Sequence, residues 1–431
     1  MKIFAIFLLT LLIGNSIIAQ GDQVAQLADQ YEDEVIELRR HFHQYPELSN
    51  REFKTAEKIT VELKKLGLKP DTGIAKTGVV AVLEGGKPGP TIGLRADIDG
   101  LPVTERTPIP FASKEKSEYL GNKVGVMHAC GHDTHIAMLL GAAKVLTDMK
   151  DEIQGKIVFV FQPAEEGAPP GEEGGASLMV KEGIIDKYGI EVMFGQHIGS
   201  DFPVGQINFR PAGIMAAADR FVIKVKGKQT HGSRPWDGVD PITTAAHIIV
   251  GLQTIVSRQT NLTKEAAVIS VGKITGGVRN NIIPEEVEMV GTIRTLDTEM
   301  QDEIHERIRN TATHIAASQG ATVEIELNKG VPVTYNDPEL TKLMVETLYK
   351  TAGEENVRVI PAVTGAEDFS FFAREVPSFY YFLGGRSLDT KKGEAFPHHT
   401  PDFFIDESGL VLGVKTLTNL ALAYGDMKAD K

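Results

Sequence analysis

Apolar positions near the start of the chain recur at the spacing of one helix face. Val24, Leu27, Tyr31, Val35 and Leu38 form the series, and Pro46 stops it, which predicts a helix over 22–45. A second helix is predicted over 52–66, closed by Gly67. Short runs at 78–83, 91–96, 156–162 and 191–197 are rich in Val, Ile and Phe and too brief for helices. They alternate with helical stretches at 132–148 and 174–185, the pattern of an α/β fold with a largely buried sheet.

From 214 to 328 the order changes to strand 220–227, helix 240–258, strands 266–274 and 286–294, helix 299–318 and strand 321–327. This βαββαβ order is that of a ferredoxin-like unit, two helices on a four-stranded sheet, and it reads as an insertion. Residues 329–431 return to alternation, with helices at 338–350 and 407–424 and a strand at 378–383. So few strands make a poor separate sheet, so this part is expected to complete the sheet begun in 21–213.

Composition adds limits. The 431 residues carry 42% hydrophobic and 24% charged side chains, values of a globular chain long enough for two or three cores. A net charge of −13 without a basic stripe disfavours binding to nucleic acid or to an anionic membrane. Lys2, the apolar run Ile3–Ile13 and small residues ending near Ile18-Ala19-Gln20 read as a signal peptide over 1–20. The run is short of the ~20 residues of a membrane span, so an exported protein, periplasmic or secreted and without stable membrane insertion, is expected. In such a chain a single cysteine, Cys130, rules out an intrachain disulfide and is either a buried inert thiol or chemically engaged.

The neighbours of Cys130 favour engagement. In Met127-His128-Ala129-Cys130-Gly131-His132-Asp133, the glycine lets the backbone bend so that a thiolate and an imidazole can converge on one cation. Gln162-Pro163-Ala164-Glu165-Glu166-Gly167 follows a predicted strand, where α/β folds place ligands, and paired acids there can divide into a metal ligand and a base. His197 ends another apolar run, and the Pro-flanked loop around His398-His399 is expected to bring at most one imidazole to a metal. Asp97 and Asp99 end a strand and suit a supporting role behind a ligand imidazole more than direct ligation. Glu172-Glu173 reads as a solvated loop pair. His231, at the tip of a Gly-rich turn, is a candidate donor to an oxyanion, or simply an exposed histidine. Asn281, in Arg279-Asn280-Asn281-Ile282-Ile283-Pro284, could hold a polar group of a substrate or shape a turn. Thiolate, imidazoles and carboxylates gathered at strand ends suit a hydrolytic metal centre.

These motifs, with Leu94-Arg95-Ala96-Asp97-Ile98-Asp99-Gly100-Leu101-Pro102, Thr230-His231-Gly232-Ser233-Arg234-Pro235, Gly365-Ala366-Glu367-Asp368-Phe369 and His398-His399-Thr400-Pro401-Asp402-Phe403, resemble a known family over residues 30–425. It is the co-catalytic metallopeptidase and aminoacylase-like amidohydrolase family, in its subgroup of hippurate hydrolases, N-acyl-amino-acid amidohydrolases and auxin-conjugate hydrolases. Ala366 stands where that family has Ser. The resemblance implies a zinc-peptidase-like catalytic domain with a central mixed sheet, formed by 21–213 and 329–431, interrupted by a ferredoxin-like lid and dimerisation domain at 214–328. It implies two divalent metal ions held by Cys130, His132, Glu166, His197 and His399, with Glu165 as the general base. Zinc, manganese, cobalt and nickel all suit this mixture of donors. It also implies a homodimer in which His231 reaches the partner subunit's active site. The expected reaction is hydrolysis of the amide bond of an N-acyl amino acid by metal-activated water. A dipeptidase or carboxypeptidase acting on short peptides, and a non-catalytic exported metal- or peptide-binding protein, are the alternatives.

Overall fold

Runs of Val, Ile and Phe without polar alternation satisfy their apolar side chains only when both faces of the sheet they form are covered. In the computed structural model, which describes residues 20–429, such runs build an eight-stranded sheet. Its spatial order is Asp71–Ile74, Gly78–Glu84, Gln154–Gln162, Lys87–Asp97, Val192–Pro203, Ser378–Arg386, Ile207–Phe209 and Val357–Val359. The sheet is mixed. Lys87–Asp97 runs parallel to both of its neighbours and Ser378–Arg386 parallel to Val192–Pro203, whereas Gly78–Glu84 is antiparallel to Gln154–Gln162. Residues 1–19, on which nearly all of the signal-peptide expectation falls, lie outside the described residues. Among the described residues no helix is long and apolar enough to cross a membrane.

Contacts divide the chain into two compact units. One comprises the described residues up to Ala212, Asn336–Ile360 and the described residues from Phe371; the other comprises Gly213–Tyr335 with Pro361–Ser370. The second therefore runs past residue 328 and takes in a later segment, because Ala216 N–H donates to the carbonyls of Val363 (3.2 Å) and Gly365 (2.9 Å).

In the first unit, helix His132–Asp148 is buried along most of its length. It packs against the strands Lys87–Asp97 and Val192–Pro203 and against the helices Glu32–Gln44 and Leu410–Ala429. Ile136, Leu139, Leu140, Val145 and Leu146 enter this core, each side chain contributing roughly 1.5–3 kcal/mol on burial.

The second unit is a four-stranded antiparallel sheet, ordered Ala267–Gly276, Glu286–Thr295, Ala217–Lys226, Thr322–Val331, with helices Pro241–Thr254 and Thr298–Ser318. Both helices start on an aspartate: Asp240 accepts from Ile242 and Thr243 N–H, and Asp297 from Met300 N–H. Phe221, Ile223, Ile248, Leu252, Ile304 and Ile308 form its separate core.

Several elements differ in extent from the sequence pattern. The helix expected over 22–45 breaks at a turn at Tyr31. The one expected over 174–185 becomes Gly175–Lys181 and Ile184–Tyr188, because Gly183 adopts the left-handed region at φ 80°. The helix expected over 240–258 is α-helical only to Thr254 and continues as a π-helical turn, Ile255–Gln259.

Candidate metal centre

Four segments of the first unit meet at the C-terminal ends of its parallel strands, the usual ligand position in α/β sheets. Strand Lys87–Asp97 ends with Asp97 opposite Gln162, the last residue of its parallel neighbour, and the turn 163–166 follows. Strand Val192–Pro203 pairs with Lys87–Asp97 only as far as Gly195, so His197 lies just beyond that pairing. Gly131, at φ 94°, turns the chain into helix His132–Asp148; a Cβ there would fall 2.3 Å from Ile198 Cγ2, so this backbone conformation and close approach require glycine.

The sulfur of Cys130 lies 3.4 Å from His197 Nε2 and 3.3 Å from His399 Nε2, and His399 Nε2 lies 3.0 Å from Glu166 Oε1. His132 Nε2 is 3.8 Å from Glu165 Oε2 and 3.8 Å from Asp97 Oδ2. Of the groups with ligand spacing among the described residues, two, Cys130–Glu166–His399 and His132–Glu165–Glu166, share Glu166, and another, Cys130–His197–His398, takes in His197. The five residues assigned by resemblance as ligands and the assigned base are therefore brought together within one unit.

The hydrogen bonds behind these side chains fit a cation. His132 Nδ1 donates to the Asp99 carbonyl at 2.9 Å, which turns Nε2 toward the acids; that nitrogen is buried and has no hydrogen-bond partner among the described residues. His197 Nδ1 donates to the Ile198 carbonyl at 2.6 Å, so its Nε2 lone pair faces the Cys130 sulfur. Burial, then the charges of His135 and His398, hold His197 well below the ordinary imidazole range, so it stays neutral. Burial acts the same way on His132, but Asp97, Asp99 and Glu166 outweigh it and push its pKa up to about 10. Burial, then Glu166 and Glu165, push the Cys130 thiol well above its usual value. Acids that favour a proton on both His132 and Cys130 favour a divalent cation in its place, which would hold the thiolate outright.

The sequence pattern missed much of the support. His135, one turn beyond His132, has its Nδ1 2.5 Å from Asp97 Oδ1 and accepts Ile198 N–H at 2.8 Å through Nε2, so it steadies the backbone next to His197. The H-x-x-H spacing at the start of one helix was the available signal. Asp99 accepts the backbone N–H groups of Glu165 and Glu166, each at 3.1 Å, and the Ser49 hydroxyl at 2.6 Å, consistent with a supporting role. Asp133 turns to Arg39 (2.8 Å) and His43 (2.9 Å) in a buried ionic cluster. Glu172, expected as a solvated loop charge, accepts from Arg51, Lys76 and Asn50.

In the second unit, Thr230–His231 pairs with Ile282–Ile283 and Gly232 N–H donates to the Asn281 carbonyl at 2.8 Å, so His231 and Asn281 share one exposed two-stranded turn. His231 Nδ1 accepts from Ser233 N–H at 3.1 Å, which sets the tautomer with a proton on Nε2.

Residues 93–423 match the peptidase family M20/M25/M40. The chain is 41% identical to thermostable carboxypeptidase 1 of Saccharolobus solfataricus, over 92% of this chain and 97% of that one. It is 39% identical to an N-acetyl-L-cysteine deacetylase of Bacillus subtilis, over 88% of this chain and 85% of the relative. A dinuclear metal binding peptidase of the M20 family from Bacillus subtilis superposes with a TM-score of 0.77 at 33% identity, covering 92% of this chain and 99% of the other. A cluster of thiol, imidazole and carboxylate groups at ligand spacing, on a mixed α/β sheet, suits such a hydrolase. The chain belongs to the peptidase family M20/M25/M40 and is a metal-dependent hydrolase of amide or peptide bonds.

Proposed function

We propose that the protein removes the acyl group from N-acyl amino acids, with Glu165 as the proton carrier. The observation that supports this reading is the placement of the adjacent acids: Glu166 reaches both the Cys130–His399 group and the His132 group, whereas Glu165 lies on the His132 side, 3.8 Å from its Nε2. The similarity to a deacetylase that acts on an N-acetyl amino acid points to the same substrate class.

Cys130, His132, Glu166, His197 and His399 would hold two divalent ions, which polarise the amide carbonyl and acidify water when bound. Glu165 takes a proton from the attacking water and returns it to the leaving nitrogen as the tetrahedral adduct collapses. His231, through its Nε2 proton, is proposed as a donor to the carbonyl oxygen, and Asn281 as a contact for a polar group of the substrate. The second unit is proposed as lid and dimerisation domain, and the chain as an exported homodimer.

The test is a panel of N-acetyl and N-benzoyl amino acids, free dipeptides and N-blocked dipeptides, assayed on protein reconstituted with zinc, manganese, cobalt or nickel. Acyl amino acids are expected to be the best substrates. Glu165→Gln is expected to lose about a hundredfold to ten-thousandfold in kcat while binding metal normally. Unchanged turnover in that variant would remove Glu165 from the mechanism. The 41% identity to a carboxypeptidase supports a second reading, and preference for N-blocked dipeptides over acyl amino acids would select it.

A further inference from the structure

A second buried carboxylate holds the Glu165–Glu166 turn, and neither the proposed chemistry nor the ligand set uses it. Glu52 lies at the entrance to helix Phe53–Lys65 and is fully buried. Its Oε1 accepts Ala164 N–H at 2.9 Å and its Oε2 accepts the Thr77 hydroxyl at 2.7 Å. Ala164 adopts the left-handed region at φ 52°. For a residue other than glycine that conformation costs about 1 kcal/mol or more, so it persists only where the surroundings impose it.

The next two amides, of Glu165 and Glu166, go to Asp99. Three successive N–H groups therefore converge on two buried acids, as in an anion-binding nest whose anions are built into the protein. Burial first, then the charge of Asp99, push the Glu52 carboxyl up to about 7. A buried acid at this position is costly, and a fold that needed only to fill space there would do so with an apolar side chain. The same stretch of chain also grips what flanks the turn, since the Ser49 hydroxyl donates to Asp99 (2.6 Å) and Asn50 Nδ2 to the Glu173 carbonyl (3.0 Å).

We propose that Glu52 is a positioning residue: by accepting Ala164 N–H it sets the turn that presents Glu166 to the metals and Glu165 to the reacting water. The Glu165 half of this statement rests on the function proposed above. The Glu166 half does not, because metal affinity reads it without any substrate.

The experiment compares Glu52→Gln, which keeps an amide oxygen for Ala164 N–H, with Glu52→Ala, which leaves that donor unmet. Cobalt(II) is titrated into each apoprotein and followed by absorption, folding is checked by circular dichroism, and kcat and KM are measured on the best N-acyl amino acid. Glu52→Ala is expected to bind cobalt about tenfold or more weakly, the scale of losing support behind a metal ligand. Its kcat is expected to fall by at least about tenfold with KM within about threefold, and Glu52→Gln to stay within about threefold of the parent in every measure. A folded Glu52→Ala protein with unchanged cobalt affinity overturns the proposal, and so does a Glu52→Gln protein that falls as far as Glu52→Ala. Should Glu52→Ala not fold, Thr77→Val, which loosens the same carboxylate, takes its place; weakened cobalt binding supports the proposal and unchanged binding overturns it. If the parent protein hydrolyses no N-acyl amino acid, the substrate class fails while the cobalt titration still decides the role of Glu52.

Discussion

His398 and His399 are neighbours in sequence with opposite surroundings. His398 donates from Nδ1 to the Cys130 carbonyl at 3.2 Å and accepts Ser200 N–H through Nε2 at 3.2 Å, so backbone groups use both of its nitrogens. His399, held at φ 64° with its N–H on the Ala129 carbonyl, instead directs Nε2 to the Cys130 sulfur and Glu166. His399→Ala is therefore expected to weaken cobalt binding about tenfold or more, with a smaller effect from His398→Gln. If His398→Gln weakened binding as much, the ligand assignment would have to be exchanged. At this scale the Cys-x-His spacing and the paired acids were legible, because each donor type is visible in the letters themselves. Residue type alone left open which of the two adjacent histidines faces a cation, and only the family resemblance selected His399; the approach of its Nε2 to Cys130 and Glu166 depends on a local backbone angle, which residue type does not encode.

Among elements, the helix His132–Asp148 carries the site's beginning, and its first turn is anchored by charge. Asp133 is buried between Arg39 and His43 of helix Glu32–Gln44, and His43 Nε2 lies 3.0 Å from Glu105. Burial lowers the His43 pKa, but Asp133 and Glu105 outweigh it, so the folded-state value stands above the ordinary 6.5. A raised value means that the folded protein holds the proton more tightly than the unfolded chain. The resulting stability is complete below the ordinary histidine value and is lost as pH rises through the folded-state value. The denaturant midpoint is expected to fall as pH rises from 6.5. One proton contributes a slope of at most about 1.4 kcal/mol per pH unit, and His43→Gln should remove that part. Parallel curves for parent and variant would show that His43 is not the group responsible. Periodicity placed this helix and the strands before and after it, since a 3.6-residue apolar repeat and short β-branched runs are local signals. It could not show the break at Tyr31 or the Arg39–Asp133 pair, the latter joining residues 94 apart in the chain.

For the whole molecule, the two units have separate cores, and the second exposes apolar side chains that its own core does not cover. Strand Ala267–Gly276 is a sheet edge with Val268 and Ile274 exposed, and helix Pro241–Thr254 exposes Ile242 and Val250. An open edge beside apolar surface is where chains pair, and this supports the proposed homodimer. Native mass spectrometry of the protein expressed from residues 1–431 is expected to give two chains, each shorter by about 20 residues, the usual length of a signal segment. A monomer would overturn the dimer, and an intact N-terminus would overturn export. By itself the sequence determined the α/β class, the βαββαβ insertion and the donor inventory, because apolar periodicity and residue chemistry are written in local order. Only the tertiary structure decided which ring nitrogens are taken by backbone carbonyls, that Asp99 and Glu52 share the amides of one turn, and that His135 stands behind His197. Those facts depend on directions and distances between segments far apart in the chain, which local order does not encode.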